Sequence, residues 1–404
     1  MAEKTIMTGW KRLHKIQETA RMLMLSGILI HNNENIYYFT SVYPHEPSFL
    51  IIPPHSEPKL ITARSIYAEA EKTSLIPVVP GDLDIAETVY QNMLNTGVIK
   101  PPPATALKSF IRKIAEQPLG IEQNYLSVFL FERFNIRNHV DITPYIMGLR
   151  SKKDSFEIDH IKSACETADQ AMLEAKKHIR PGMSEKELSG IFDAEAKIRG
   201  ADETKCRVRS GRNSALAFSR WMDAQLAPGP LLIDYGARIK GYWSDITRMF
   251  YLGSQPDAKF LEIYELVLNA RNKALEVMNP GQSLYGPETV LREIFRNKGY
   301  EQNMIYTAGH GIGLEIHEPP ILTLCAARST EPENKHSRGK SMFNYFFSDK
   351  DDDHIFKKGQ IYALEPGIYL EEMGVRIEDM VHITQTPTLL SSLPTEVGDI
   401  VINY

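Results

Sequence analysis

Two acidic pairs, each straddling a short turn, constrain this chain more than any other feature. Asp234 and Asp245 flank the turn of LLIDYGARIKGYWSDITRMF, and Glu365 and Glu378 flank that of ALEPGIYLEEMGVRIEDM. Midpoints place the first turn within Arg238-Ile239-Lys240-Gly241 and the second within Glu371-Glu372-Met373-Gly374. In symmetric hairpins the two acids of each pair face each other directly, with Cβ atoms roughly 5 Å apart. Like charges so placed destabilise a sheet, so two such hairpins imply cations between the carboxylates. Four carboxylates and the imidazole of His310, in TAGHGIGLEIHEPP, are a set able to neutralise and coordinate two divalent metals. The fold therefore has to deliver both hairpins to one place.

At 404 residues the chain is long for one core, and two domains are expected. We expect an α/β domain over residues 1–148 and an α+β domain over 149–404, with an internal pseudo-twofold duplication in the latter. In the first, residues 8–25 and 65–71 have helical patterns, and 28–30, 36–39, 49–52 and 59–62 read as strands. Pro101-Pro102-Pro103 reads as a loop. The second domain opens on a capping pattern, Asp154-x-x-Glu157, and then repeats itself. Helix, Pro181-Gly182, helix, acidic hairpin is followed by helix, Pro280-Gly281, helix, a His310 strand and an acidic hairpin. Residues 321–356 read as a polar surface insertion, and Asp351-Asp352-Asp353-His354 within it as a solvated acidic loop.

A net charge of −5 implies no strongly basic face and argues against a nucleic-acid partner. The apolar stretch from Met22 to Ile30 is too short to span a bilayer and runs into His31-Asn32-Asn33-Glu34 with no small-residue cleavage site. Three cysteines without CxxC spacing suit a reducing compartment, so a cytoplasmic protein without membrane contact is expected.

The ligand set Asp234, Asp245, His310, Glu365 and Glu378 is rich in oxygen and free of thiolate, which suits Mn²⁺, Co²⁺, Fe²⁺ or Zn²⁺. Paired metals of this kind bridge a water, lower its pKa and polarise the carbonyl it attacks. A single acidic hairpin would read as a solvated turn; two, with a glycine-flanked histidine, read as a metal site. Gly309, Gly311 and Gly313 are expected to let the backbone approach the metals. His317, at an odd offset from His310, needs a bulge to face the same way, and catalysis and packing stay open for it. Arg376 shares a strand face with Glu378 and either orients a carboxylate or offsets local charge.

ENIYYFTSVY, LIDYGARIKGYWSDITR, GHGIGLEIHE, LEPGIY and GVRIED together resemble the pita-bread metallopeptidases, the prolidase and aminopeptidase P group with its creatinase-like N-terminal domain. The resemblance covers most of the chain. It implies that Asp245 and Glu378 bridge two metals, that Glu365 doubles as proton acceptor, and that His317 helps stabilise a tetrahedral intermediate. It also implies a homodimer and favours manganese. One stretch departs from the pattern: SGRNSALAFSRW carries Ala217-Phe218 where the family has a histidine that holds substrate, and Tyr306 also replaces a frequent histidine.

The expectation is thus a dimetal hydrolase that cleaves the Xaa-Pro bond of small peptides through a metal-bridging hydroxide. Glu365 and His317 would act as catalytic groups, and His317, Arg376 and Phe218 would line the substrate site. The alternative is a metal-dependent C–N hydrolase or lyase acting on a small non-peptide molecule. A silent peptide-binding protein is the third reading, and it predicts no bound metal.

Overall fold

A computed structural model describes residues 2–81, 117–126, 130–131, 136–217, 219, 223–324 and 354–403. The chain divides into two compact units, Met1–Leu149 and Arg150–Tyr404.

The first unit opens with helix α1 (Ala2–Met22), followed by β1 (Gly27–Ile30), α2 (Asn33–Thr40), β2 (Ser48–Ile52) and β3 (Lys59–Ala63). Helix α3 (Arg64–Thr73), β4 (Val78–Gly81), β5 (Leu119–Ile121) and β6 (His139–Asp141) complete the elements described there. The strands form one mixed sheet in the order β4-β3-β2-β1-β5-β6. Leu29, Phe49, Ile51, Ile61, Leu119 and Ile121 pack together on one face. The alternate residues Ile28, Ile30, Leu50, Ile52 and Leu60 are equally buried, so the sheet is covered on both sides.

One expected strand is a helix. Ile36–Phe39 lies within α2, whose N-cap Asn32 accepts from the Asn35 amide at 2.8 Å. The carboxylate of Glu122, just past β5, accepts from the amides of His31 (2.6 Å) and Asn32 (2.9 Å), placing a negative charge at the helix start. That stabilisation comes from 90 residues away and overrides the strand propensity of Ile-Tyr-Tyr-Phe. Pro101-Pro102-Pro103 lies outside the described residues.

Helix α4 (Thr143–Ser151) leads into the second unit, where α5 (Ser155–Lys176) starts at the expected capping box, Asp154 with Glu157. Helix α6 (Glu185–Ile198) carries a second box, Ser184 with Glu187, directly after Gly182. Then come β7 (Glu203–Ser210), β8 (Gly229–Ile239), β9 (Tyr242–Trp243) and β10 (Ile246–Leu252). The same order is run again by α7 (Ala258–Glu276), α8 (Gly286–Asn297), β11 (Gly309–Gly311), β12 (Glu318–Leu322) and β13 (Ile361–Leu364). This second half continues through β14 (Gly367–Tyr369), β15 (Gly374–Arg376), β16 (Asp379–Ile383) and β17 (Pro387–Leu389). The chain closes on α9 (Val397–Ile400) and β18 (Val401–Ile402). Gly182 and Gly281 adopt nearly the same left-handed backbone, φ 81° and 84°, at matching points of the two passes.

The first pass gives the sheet β18-β10-β8-β7, with β9 paired to β8, and the second gives β12-β11-β13-β16-β17 and the ribbon β14-β15. A bridge between Thr247 and Glu378 joins the two, through Glu378 N–H to the Thr247 carbonyl at 3.1 Å. Beneath it Phe260, Ile263, Tyr264 and Val267 of α7 pack with Leu291 and Phe295 of α8 against Tyr362, Leu364, Val375 and Ile377. Most of the expected 321–356 insertion, residues 325–353, lies outside the described residues.

Candidate metal centre

The second acidic hairpin has the expected register. Leu364 pairs with Asp379 on one side and Gly367 with Arg376 on the other, which sets Glu365 level with Glu378. The first is shifted. Arg238 pairs with Trp243 and Ile239 with Tyr242, so the turn is Lys240-Gly241, with φ 48° and 85°. Left-handed backbone at both central residues is the two-residue turn that matches strand twist, and glycine at the second position favours it. Thr247, not Asp245, therefore faces Asp234. Asp245 drops one rung, level with Gly236, and is a diagonal neighbour of Asp234. A Cβ on Gly236 would lie 2.2 Å from the Ser244 carbonyl oxygen, so the close approach of this rung depends on glycine.

All five expected ligands nevertheless converge. One donor atom from each of Asp234, Asp245 and Glu378 lies within 4.8 Å of the others. The same holds for His310, Glu365 and Glu378, and for Asp245, His310 and His317. His310 Nδ1 is 3.0 Å from its neighbour's carbonyl on Gly311, which fixes Nδ1 as the protonated nitrogen and leaves the Nε2 lone pair for a metal. Nε2 faces Glu365 Oε1 at 3.5 Å. Burial holds the His310 imidazole below its ordinary pKa, in the neutral form that ligates.

The expected bulge is present: the β11–β12 register shifts between His310 and Gly311. It brings His317 to the rim with its ring 4.3 Å from that of His310. The glycines of this segment admit neighbouring strands rather than an open metal face. A Cβ on Gly309 would stand 2.0 Å from the Ala363 carbonyl oxygen.

Arg376 does not pair chiefly with Glu378, 4.0 Å away. Its Nη2 donates to Asp234 Oδ2 at 2.6 Å, its Nε to Thr247 Oγ1 at 2.9 Å and its Nη1 to the Tyr369 hydroxyl at 3.0 Å. Thr247 in turn donates to Glu378 Oε2 at 2.6 Å. Thr247 and Tyr369 were not singled out by sequence, since a lone hydroxyl carries no spacing signal. Tyr306 lies 3.1 Å from Tyr369, hydroxyl to hydroxyl, and so ends a chain running Tyr306, Tyr369, Arg376, Asp234. Phe218 lies outside the described residues.

Sequence reading also passed over Lys205. Its Nζ donates to Asp245 Oδ1 and Oδ2 at 2.8 and 3.0 Å and stands 2.9 Å from Asp234 Oδ1. The signal was available: Lys205, Arg207 and Arg209 alternate along β7, a cationic face beside the strand β8 that carries Asp234. Burial penalises the Lys205 ammonium, but Asp234 and Asp245 outweigh it and raise its pKa. Burial raises the pKa of Glu365 to about 8 and that of Glu378 well above the usual range; neighbouring carboxylates add to both, and Arg376 opposes both. Were all four acids ionised, Lys205 and Arg376 would leave two negative charges within this buried cluster. The donors fit a divalent cation: oxygen and imidazole atoms with free lone pairs, in a place where negative charge is in excess. Asp234 Oδ1, buried, accepts no hydrogen bond among the described residues.

Carboxylates and an imidazole converging from two repeated sheets define a metal-binding protein with the donor chemistry of a hydrolase. Comparison with known proteins gives the family. The metallopeptidase family M24 matches residues 159–385, and the Creatinase/Prolidase N-terminal domain matches residues 12–152. The chain belongs to metallopeptidase family M24 and has its pita-bread fold. It is 31% identical over 383 residues to the Xaa-Pro dipeptidase of Pyrococcus furiosus, covering 93% of this chain and 95% of that one. The prolidase structure from Pyrococcus horikoshii OT3 superposes with a TM-score of 0.78 at 28% identity, covering 96% of this chain and 99% of that one. The X-Pro aminopeptidase from Thermotoga maritima gives 0.75 at 27% identity, over 96% and 99%.

Proposed function

We propose that this protein is a divalent-metal-dependent peptidase that cleaves the Xaa-Pro bond of small peptides. The observation that carries the proposal is the convergence of Asp234, Asp245, His310, Glu365 and Glu378 on one centre. Relatives named as Xaa-Pro dipeptidases support the substrate class. The five residues would hold up to two ions, with Mn²⁺ favoured for so oxygen-rich a set. Bound metal would supply an activated water and polarise the scissile carbonyl.

The chain's own groups have separable tasks. Among the described residues Glu365 pairs only with His310 and contacts no lysine or arginine. It is therefore the carboxylate freest to accept a proton from water and pass it to the leaving imino nitrogen. His317, at the rim beside His310, is placed to donate to a carbonyl oxygen that gains charge. Arg376 and Thr247 would hold Asp234 and Glu378 in place, with Arg376 also assigned to the substrate side. Phe218 we assign to the substrate side. On the family resemblance alone we also propose a homodimer, and on the cysteine usage a cytoplasmic protein; among the described residues no helix is long and apolar enough to cross a membrane.

The test is hydrolysis of Xaa-Pro dipeptides by Mn²⁺-loaded protein, with a chelated control and metal content measured in parallel. Chelator-sensitive release of proline is expected. Silence from protein that holds metal would overturn the peptidase reading. It would favour a metal-dependent C–N hydrolase or lyase on a small non-peptide molecule, a reading motivated by the Tyr306–Tyr369 hydroxyl pair where a histidine was expected.

A further inference from the structure

Lys205 sits against the two aspartates that would hold a metal ion. The rung that carries it explains how. On β7, Lys205 pairs across to Gly236 of β8, and Asp245 is level with Gly236 on the other side. Strands lie about 4.8 Å apart, so Lys205 and Asp245 are roughly 10 Å apart along this rung. Between them is a residue with no side chain, and the lysine reaches over it.

The contacts divide the centre into two unequal halves. In the Asp234/Asp245 half every carboxylate oxygen already has a protein cation. Lys205 Nζ is 2.9 Å from Asp234 Oδ1 and 2.8 and 3.0 Å from the two oxygens of Asp245. Arg376 takes the remaining Asp234 oxygen at 2.6 Å, with Arg207 3.5 Å from the same atom. In the His310/Glu365/Glu378 half, Arg376 comes no nearer than 4.0 Å to Glu378, and Glu365 meets only His310. Charge counting agrees. Four ionised carboxylates with the buried Lys205 and Arg376, the partly exposed Arg207 being left to solvent, sum to minus two, which one divalent ion neutralises. A second ion would leave the buried cluster at plus two, offset only in part by a hydroxide, unless the ammonium withdrew.

We propose that Lys205 is a built-in competitor for the metal that Asp234 and Asp245 would hold, so that its ammonium weakens loading of this half. This deepens the metallopeptidase reading and rests on it. Loading of the weak half requires the ammonium to leave both aspartates, and the concentration of free metal then sets whether the centre holds one ion or two.

The experiment is calorimetric titration of metal-stripped protein with Mn²⁺, for the wild type and Lys205→Met, with electron paramagnetic resonance of each loaded form. The full chain is used, and a Lys205→Thr variant guards against a misfit of the methionine. The wild type should take one tight ion, give the six-line signal of isolated Mn²⁺, and bind the second at least about tenfold more weakly. Either neutral variant should tighten the second ion by about tenfold or more and give the signal of a coupled pair at two equivalents. Two equally tight ions in the wild type, or a second site unmoved in both variants, would overturn the role of Lys205 and leave the peptidase reading standing. No binding by any of the three proteins would overturn both.

Discussion

Replacing Glu318 by glutamine should destabilise the second unit by about 3 kcal/mol at neutral pH, and two lines of reasoning give that size. The carboxylate at the start of β12 is buried and accepts from Arg150, from Lys153 Nζ at 3.1 Å and from the Glu315 amide at 3.1 Å. Arg150 keeps a second acid, Glu315 at 2.9 Å, whereas the buried Lys153 ammonium has no other carboxylate among the described residues. Breaking a buried pair from one side costs about 3–5 kcal/mol, because the stranded charge stays desolvated. Independently, Arg150 and Lys153 overcome the penalty of burial and hold the Glu318 pKa at about 2, against an ordinary 4.5. That drop is worth about 3 kcal/mol of folding free energy once the group is ionised in both states.

The sign gives a sharper test than the size. A carboxylate whose folded pKa is depressed stabilises the fold fully above its unfolded pKa, near 4.5, and loses that contribution as pH falls towards about 2. Glutamine does not titrate. The stability gap between wild type and Glu318→Gln should therefore be constant above pH 5 or so and close steadily below it. Urea denaturation of the two proteins across this range measures the gap, and the difference cancels the acid response of the shared metal ligands. At neutral pH the melting temperature should fall by about 6–12 °C for a unit of this size. A gap that is absent at pH 7, or that keeps its full size down to pH 3, would refute the reasoning.

Asp245→Ala should abolish peptidase activity and lower bound metal; full turnover with undiminished metal would remove Asp245 from the centre. His317→Ala should lower kcat while metal content, read by elemental analysis, is retained, since His317 is the exposed member of its group and the five other ligands stay in place. Thr247→Val removes the hydroxyl shared by Glu378 and Arg376, and metal affinity measured by calorimetry should fall about tenfold or more, as for other groups that orient ligands.

What the sequence made legible was whatever a short window encodes. The Glu365/Glu378 hairpin, the capping box at Asp154 and the repeat around two Pro-Gly turns all depend on neighbours a few residues apart. The other hairpin was misplaced by half a turn, because a midpoint assumes symmetry while the backbone chooses the glycine that accepts φ 85°. Helix α2 was misread because Glu122, which neutralises its exposed amides, lies far along the chain. His317 stayed ambiguous because a register shift of the β11–β12 pair decides its direction. The misreading of α2 rests on a contact between residues that no local pattern joins.

The centre itself shows why such contacts decide function. Its acids come from two hairpins far apart along the chain, and what holds them in register is not acidic: Thr247 faces Asp234, donates to Glu378 and accepts from Arg376, which returns to Asp234. This ring of contacts spans both halves of the repeat, at the bridge between Thr247 and Glu378. Duplication of a helix-and-hairpin unit thus supplies two pairs of carboxylates, and one hydroxyl with one guanidinium converts them into a single site. Such a site is strained without positive charge, since four carboxylates share one buried volume. How that charge is divided between side chains and metal then sets what the site can bind, and in this chain β7 contributes a lysine to the division.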